Sequence, residues 1–294
     1  MKPERSADYH ARIQRVLAYI DAHLEEDLSL EVLSGVAAFS KHHFHRQFSA
    51  LFGLSVYRYV QLLRLKRASY RLAFREHEPV IQIALDSGYD GPEAFARAFR
   101  QRTGQTPSAF RDEPQWNSWH STYEQLNKAR RFRMQTRFHA DQVRIVDFPA
   151  TPVAILEHRG DPHLIGNSIR RFIGWRRRNG LVPKNSKTFN ILHCDPQDTP
   201  ADNYRIDLCV GTDRKIKAND DGMIAGLIPA GRCAVLRLNG TNDDLRPAVA
   251  FLYGEWLPQS GEELRDFPTF VERVAFYPDV PEHEALTDIF LPIS

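Results

Sequence analysis

Cysteine is scarce in this sequence, with three residues in a chain of 294, and none of them lies in a CxxC or CxxH spacing. A disulfide framework or a structural zinc site is therefore not expected, and the thiols are expected to be buried and reduced. No apolar run reaches the ~18 residues that a membrane-spanning helix needs. The first residues, MKPERSADYH, contain no hydrophobic stretch of the kind found in signal peptides. We therefore expect a cytoplasmic protein with no membrane partner.

Charge of one sign is also scarce, because the formal net charge is only +2. Its distribution is uneven, since residues 1–112 carry 16 basic and 13 acidic side chains while residues from 143 onward carry 18 and 21. One segment holds six basic residues and no acidic one: Arg58, Arg64, Lys66, Arg67, Arg71 and Arg75. Such a basic stripe is typical of a surface that faces phosphate, and a solvated helix face is the alternative that the pattern leaves open.

An internal repeat occupies the N-terminal part of the chain, with one copy at 28–59 and the other at 79–111. Six residues of the first copy match six of the second at an offset of 51 (95 − 44 = 51): Phe44, Arg46, Phe48, Gly53, Ser55 and Tyr59 match Phe95, Arg97, Phe99, Gly104, Thr106 and Phe110. The preceding positions match at an offset of 50 (90 − 40 = 50), so the second copy has one extra residue in its turn.

Each copy predicts two helices separated by a short turn. Apolar residues recur every three or four positions, and Ser29 and Ser40 are suitable N-caps. In the second copy Gly88 supplies the turn and Asp90 the cap of the next helix. A helix, a turn and a second capped helix form a helix-turn-helix. The N-terminal part is therefore predicted to be all-α and to contain this motif twice.

The second helix of each copy has a face opposite its phenylalanines that can contact DNA. Arginine pairs with two acceptors of guanine in the major groove, and histidine donates to a base edge or a phosphate. The residues that we predict to contact DNA are Ser40, Lys41, His42, His43, His45, Arg46, Gly91, Pro92, Glu93 and Arg97. The phenylalanines themselves are expected in the core, as they would be in a plain helical bundle. Neither a metal nor another cofactor is predicted, because the histidine cluster lacks a further ligand at a useful spacing.

Residues 12–112 resemble the DNA-binding domain of the AraC family of transcription regulators. The motifs that carry the resemblance are SGY at 87–89, FARAF at 95–99 and GQTPSAFR at 104–111. The resemblance implies that two recognition helices enter successive major-groove segments and that 54–74 is the helix that connects them. Such a helix is ~30 Å long, which suits a groove repeat of ~34 Å. It also implies double-stranded promoter DNA as a partner, with RNA polymerase as a further partner of an activator.

Two departures from the AraC pattern concern a turn and the second recognition helix. Ala38 stands where a turn glycine is common, which is expected to tighten the first turn. Pro92 and Glu93 stand where the family often has polar residues that read bases. The second helix is therefore expected to depend mainly on Arg97 and on backbone contacts.

A second internal repeat occupies the C-terminal part. Residues 147–160 resemble 227–240 at an offset of 80, and further matches follow at an offset of 81 (288 − 207 = 81). Each copy predicts a strand, an amphipathic helix and further strands. We therefore predict an α+β domain with pseudo-twofold symmetry and a groove between its two copies. The segment 113–141 that separates the two repeats is predicted to be a linker that is helical in part.

Residues 142–294 resemble the GyrI-like small-molecule-binding domain, on the stretches AILEHRG, IPAGRCAVLRLNG, WLPQSG and ALTDIFLPI. The resemblance implies an effector that is bulky and aromatic or cationic. The candidate effector-binding residues are Trp175, Tyr204, Trp256, Glu157 and Glu272, for which a core or surface role is the alternative. Val271 and Arg273 stand where relatives often carry Glu and Tyr, so the preference for cationic compounds does not transfer directly.

These features predict a multi-domain, nucleoid-associated transcription regulator. Its parts are a double helix-turn-helix domain at 1–112, a linker at 113–141 and a duplicated effector domain at 142–294. The alternative is a protein that binds or hydrolyses a small molecule for sequestration or detoxification. Catalysis is not expected, because no set of nucleophile, base and orienting group is recognisable in the sequence.

Overall fold

The computed structural model describes residues 3–133, 138–240, 245–277 and 279–294. The chain divides into two compact units, Met1–Thr136 and Arg137–Ser294, with separate hydrophobic cores. None of the helices in the described ranges is long and apolar enough to cross a membrane.

The described residues of the first unit form helices joined by short connections. The helices are α1 (Pro3–Ala22), α2 (Leu30–Val36), α3 (Lys41–Phe52), α4 (Val56–Phe74), α5 (Val80–Asp86), α6 (Pro92–Thr103), α7 (Pro107–Asp112) and α8 (Trp116–Arg133). The pairs α2–α3 and α5–α6 are the two predicted helix-turn-helix motifs, and α4 connects them. The sequence therefore predicts both motifs and the helix between them correctly, whereas α1 and α7 were not predicted.

Serine side chains begin three of these helices, and Thr106 begins α7 in the same way. The hydroxyl groups of Ser29, Ser40 and Ser55 each accept a hydrogen bond from the backbone N–H three residues later. Such caps satisfy donors that have no partner within the helix. The predicted cap at Asp90 is wrong, because α6 begins one residue later, at Pro92, after an extended Gly91 with no side-chain cap. The extra turn residue of the second copy causes this shift.

The core of the first unit is built from the repeated phenylalanines. Phe44, Phe48, Phe95 and Phe99 are fully buried, so the faces opposite them point away from the core. Helix α8 also contributes buried side chains to this core: Trp116, Trp119, Tyr123 and Leu126. The predicted linker segment thus contains a helix that packs on the helix-turn-helix motifs, because its apolar residues recur at helical spacing.

The second unit contains an antiparallel sheet of eight strands within the described ranges. The strands are β1 (Val143–Phe148), β2 (Thr151–Arg159), β3 (Thr188–Leu192), β4 (Arg205–Gly211), β5 (Met223–Ile228), β6 (Gly231–Asn239), β7 (Phe270–Ala275) and β8 (Leu286–Pro292). Their spatial order is β1-β6-β8-β7-β3-β4-β2-β5. Helix α9 (Ile165–Arg178) follows β2, and α10 (Arg246–Phe251), a π-helical turn (Leu252–Trp256) and α11 (Leu257–Ser260) follow β6.

The sheet order shows how the two copies of the C-terminal repeat combine. Strands β1 to β4 belong to the first copy and β5 to β8 to the second, yet β1 pairs with β6 and β5 pairs with β2. The first strand of each copy therefore pairs with a strand of the other copy, and β3 pairs with β7 at the centre of the sheet. This exchange explains why the copies form one domain, since neither sheet half is complete alone.

Each copy places an amphipathic helix on one face of the sheet. Phe172 and Trp175 of α9 pack on the first copy, while Phe251 and Trp256 pack on the second. An aromatic cluster fills the opposite sheet face, where the rings of Phe270 and Phe290 stack with centroids 4.7 Å apart. The predicted α+β architecture is thus confirmed.

Candidate nucleic-acid interface and effector site

The first recognition helix, α3, presents the predicted polar face to solvent. Lys41, His42, His45 and Arg46 are all exposed, because Phe44 and Phe48 fix the rotation of the helix. His43 and the cap Ser40 are exposed as well. Lys41 forms an ion pair with the exposed Glu31 at 2.8 Å. Exposed pairs of this kind are weak, so the ammonium group remains available to a phosphate.

The second recognition helix, α6, presents an equivalent face. Glu93 and Arg97 are exposed, while Gly91 and Pro92 are half-buried at its first turn. Arg100 is also exposed and lies three residues after Arg97, on a neighbouring position of the helix surface. The sequence prediction missed this residue because Ser49, its equivalent in the first copy (49 + 51 = 100), is not basic.

The basic stripe on α4 has mostly a structural role. Arg64 donates to the backbone oxygens of Leu24 and Glu26 at 2.9 and 2.6 Å, and Lys66 is only 2% exposed. Arg71 pairs with Asp86 at 2.6 Å and also with Glu78. These contacts direct the cations inward. The stripe as a whole is therefore neither a phosphate-facing surface nor a solvated face.

The two helix-turn-helix turns differ in their strain. Ala38 adopts a φ of 51°, in the left-handed region that disfavours a Cβ atom, while Gly88 adopts 77° at the equivalent place. A Cβ on Gly88 would lie 2.5 Å from Nη1 of Arg64. Because two hydrogen bonds hold Arg64 in place, the second turn needs glycine more than the first.

Replacing Gly88 with alanine is expected to lower the free energy of unfolding by about 2 kcal/mol, because backbone strain and the contact with Arg64 add together. Ala38→Gly is the matched variant, in which relief of strain and the added entropy of the unfolded chain oppose each other. We expect this second variant to change stability little. Thermal unfolding of both variants measures the difference, and equal losses in the two would contradict it.

The three aromatic residues predicted to bind an effector are buried in the second unit. Trp175 and Trp256 are 6% and 8% exposed and belong to the clusters beneath the two amphipathic helices. Tyr204 is 5% exposed, and burial raises the pKa of its hydroxyl group to about 12. All three therefore pack within the domain, as apolar positions of amphipathic elements commonly do.

The two predicted carboxylates already have basic partners. Glu157 lies 2.7 Å from Arg205 and 2.9 Å from Arg159, and Glu272 lies 3.1 Å from Lys187. A buried carboxylate attracts a cationic ligand most strongly when its charge is uncompensated. Neither residue meets that condition.

A pocket of 490 Å³ lies elsewhere in the second unit, and we call it the His158 pocket. It is formed by the end of β2, the beginning of β5 and the first turns of α9, and His158 and Ser168 are among its lining residues. Nδ1 of His158 lies 2.9 Å from Oγ of Ser168, and Nε2 lies 3.2 Å from the backbone oxygen of Asp161. The sequence prediction missed this pocket. The signal was present, because the residue equivalent to His158 in the second copy of the repeat is the apolar Leu238.

The three cysteines are free. Cys209 and Cys233 are buried, and burial raises the pKa of both thiols. Cys194 is half-buried, which differs from the expectation that all three are buried. Its Sγ accepts a hydrogen bond from the backbone N–H of Arg205 at 3.2 Å.

Comparisons with known proteins agree with this two-part architecture. The GyrI-like small molecule binding domain family matches residues 141–294, and a helix-turn-helix domain family matches residues 33–113. The probable transcriptional regulator YgiV of Escherichia coli (strain K12) is 37% identical over 153 residues, which cover 52% of this chain and 96% of that protein.

The relatives of the N-terminal part are also regulators or DNA-binding proteins by name. The uncharacterized HTH-type transcriptional regulator YbfP of Bacillus subtilis (strain 168) is 38% identical over 103 residues, which cover 35% of each chain. The right origin-binding protein of Escherichia coli (strain K12) is 31% identical over 107 residues, covering 36% of this chain and 37% of that protein. The match thus spans about a third of these two relatives. Because the GyrI-like family covers more than half of the chain and an AraC-type helix-turn-helix domain precedes it, the chain belongs to the GyrI-like family and is an AraC-type transcription regulator with a GyrI-like ligand-binding domain.

Proposed function

We propose that this regulator reads a DNA site in two parts, with α3 in one major-groove segment and α6 in the next. One observation carries the proposal: the two helices present equivalent exposed faces, with Arg46 and Arg97 at equivalent positions. Helix α4 connects them through 19 residues, or about 28 Å at 1.5 Å per residue. Successive major-groove segments on one side of a duplex lie ~34 Å apart, so the connection has a suitable length.

We assign the parts of the proposed interface by their chemistry. Arg46 and Arg97 read base edges, most favourably guanine. Lys41 and the histidines of α3, together with the α6 N-terminus at Gly91 and Pro92, position the protein on phosphate groups. Glu93 accepts from a cytosine amino group or excludes other bases. This assignment makes 1–112 the DNA-binding domain, with α8 as a packed extension within 113–141.

We further propose that a small molecule bound by residues 142–294 changes the activity of the DNA-binding domain. Such an effector acts only by binding the DNA-competent and incompetent states with different affinity. The resemblance to the GyrI-like family implies a bulky aromatic or cationic compound, whereas the ion pairs of Glu157 and Glu272 favour a neutral or anionic one. The protein is proposed to act without catalysis, in the cytoplasm at the nucleoid, with RNA polymerase as its partner where it activates.

Selection of bound duplexes from a random pool tests the proposed function, at a fixed salt concentration because phosphate contacts make affinity depend on salt. We expect enrichment of a motif with two conserved segments about one helical turn apart. Enrichment of a single short segment would contradict reading by two helices, and no enrichment of any motif would contradict the sequence-specific function.

A further inference from the structure

The internal duplication provides a comparison for the polar pair of the His158 pocket. His158 corresponds to Leu238 (158 + 80 = 238), and Ser168 corresponds to Ala248 (168 + 80 = 248), because the extra residue that changes the offset to 81 lies later, in the π-helical turn Leu252–Trp256. In the second copy both residues are apolar and pack against the core beneath the π-helical turn. The fold therefore needs only apolar packing at these two places. The polar pair of the first copy is better explained by a ligand than by stability.

The geometry of the pair fixes which ring nitrogen carries a proton. The backbone oxygen of Asp161 can only accept, so Nε2 of the neutral His158 ring donates to it. Nδ1 then accepts a hydrogen bond from the Ser168 hydroxyl group. Burial, the largest influence, lowers the pKa of His158, so the ring is neutral near pH 7. In this state Ser168 has no hydroxyl proton left for a ligand.

Protonation of His158 reverses that hydrogen bond. Nδ1 becomes a donor to Oγ of Ser168, and the serine hydroxyl group becomes free to donate into the pocket. The ring also gains a positive charge beside the pocket. Both changes favour a negatively charged ligand, so the binding of an anion and the uptake of a proton are coupled.

The remaining lining residues supply charge and apolar surface. Arg171 of α9 is exposed at the pocket, and within the described ranges it has no ion pair with a carboxylate. Glu157 and Arg159 also line the pocket but pair with each other at 2.9 Å. Apolar contact comes from Leu156, Leu164 and Ile224. The side chains of the lining, with His158 neutral, thus carry one net positive charge beside an apolar wall.

The edge of the sheet keeps this pocket accessible. Strand β5 pairs with β2 only as far as Leu156, while β4 pairs with β2 as far as Arg159. Within the described part of the chain, the last residues of β2 therefore have no paired strand on one side, and the pocket occupies that place. The charged and aromatic groups around His158 are Asp161 in the following loop, Arg171 on α9 and Tyr204 before β4.

We propose that the His158 pocket binds a small aromatic carboxylate, whose charged group lies against Arg171 and Ser168 and whose ring lies against the apolar wall. Neutralising Arg171 removes a positive charge that opposes protonation of His158. Affinity is therefore expected to rise as the pH falls below about 6.5, the ordinary pKa of histidine, with net uptake of protons. The inference rests on the proposed function in one respect, namely that the ligand of this pocket acts as the effector of the regulator.

Calorimetric titration of the full chain with 1-naphthoate tests the proposal, and 1-naphthamide serves as the uncharged probe of similar shape. We expect 1:1 binding of naphthoate, tighter at the lower pH, and binding of the amide that is about tenfold weaker or more. Titrations in buffers with different ionisation enthalpies measure proton uptake. No binding of naphthoate, or equal binding of the amide, overturns the proposal.

Substitutions locate the site. Arg171→Ala is expected to weaken naphthoate about tenfold or more, and Arg177→Ala, at an exposed position of the same helix, is the control that is expected to change little. The double variant with His158→Leu and Ser168→Ala copies the apolar pair of the second copy and is expected to keep the fold. It is expected to weaken binding and to remove the pH dependence. Unchanged binding in both the Arg171 variant and the double variant overturns the site.

These titrations contain no DNA. A negative titration therefore does not affect the proposed reading of DNA, and a negative duplex selection does not affect the proposed pocket.

Discussion

Replacing both Arg46 and Arg97 with alanine is expected to weaken binding to the selected DNA site about 100-fold or more. Each arginine is exposed on its recognition helix, opposite fully buried phenylalanines, so neither substitution disturbs the core. A bidentate contact between arginine and guanine contributes about 1–3 kcal/mol of discrimination, and two such losses add when the sites are far apart. Fluorescence anisotropy with the selected duplex and a scrambled duplex measures the change.

The matched control for this prediction is Arg102→Ala. Arg102 is exposed on α6, but it lies five residues after Arg97 and therefore on a different side of the helix. We expect it to lower affinity for both duplexes modestly and by similar factors, as a phosphate contact or a bulk charge does. If the double variant retained its preference for the selected duplex, the assignment of both arginines would be wrong.

Asp207→Ala is expected to lower the free energy of unfolding of the second unit by about 3 kcal/mol. The Asp207 side chain is 2% exposed and lies 2.8 Å from Nε2 of His193 and 2.9 Å from Nη2 of Arg205. Burial raises the pKa of this carboxyl group, but the hydrogen bonds from these partners outweigh burial and hold it below its ordinary value. Removing the carboxylate takes away the acceptor of His193 and leaves Arg205 with Glu157 as its carboxylate partner.

The repeat supplies a control for this second prediction. Asp288 is the equivalent of Asp207, and its partner Arg237 lies 2.7 Å away but is 44% exposed. Asp288→Ala is therefore expected to cost less, about 1 kcal/mol, because solvent weakens this pair. A lowered pKa means that the contribution of Asp207 is complete above pH ~4 and is lost as the pH falls through the lowered value. Chemical unfolding of the Asp207→Ala variant and the unaltered protein at pH 7 and at acidic pH measures the loss of unfolding free energy. A loss that is as large in acid as at pH 7 would contradict the role of the Asp207 charge.

Local chemistry makes the helices of the first unit predictable from sequence. Ser29 and Ser40 cap because a hydroxyl group at that place satisfies the nearest backbone donors, whatever the rest of the chain does. Phe44 and Phe48 are core because their spacing places them on one helix face. The failure at Asp90 has the same local origin. One inserted turn residue moved the beginning of α6 past the residue that could cap it.

Tertiary pairing makes the basic stripe on α4 unpredictable from sequence. Arg64 and Arg71 look solvated or phosphate-facing when only their own helix is considered. Their partners lie 38 and 40 residues earlier for Arg64, and 7 and 15 residues later for Arg71. Only the packing of α4 against its neighbours brings these groups together. Charge counts along one helix therefore say little about which cations remain available to DNA.

In the effector domain, the internal repeat predicts some features correctly and leaves others undetermined. The repeat predicts the duplicated architecture, but not the exchange of β1 and β5, because strand partners are not encoded locally. It also contains the signal for the His158 pocket. His158 and Leu238 occupy equivalent positions in two otherwise similar strands, and this difference marks a place where the two copies have different roles.

Repeating the duplex selection with the single variants Arg46→Ala and Arg97→Ala tests the central claim most directly. If each recognition helix reads its own segment, each variant is expected to lose base preference in one segment of the two-part motif and to keep it in the other. The two variants are expected to affect opposite segments. Loss of preference across both segments in each variant, or in neither, would contradict the claim that the duplicated helices read DNA independently.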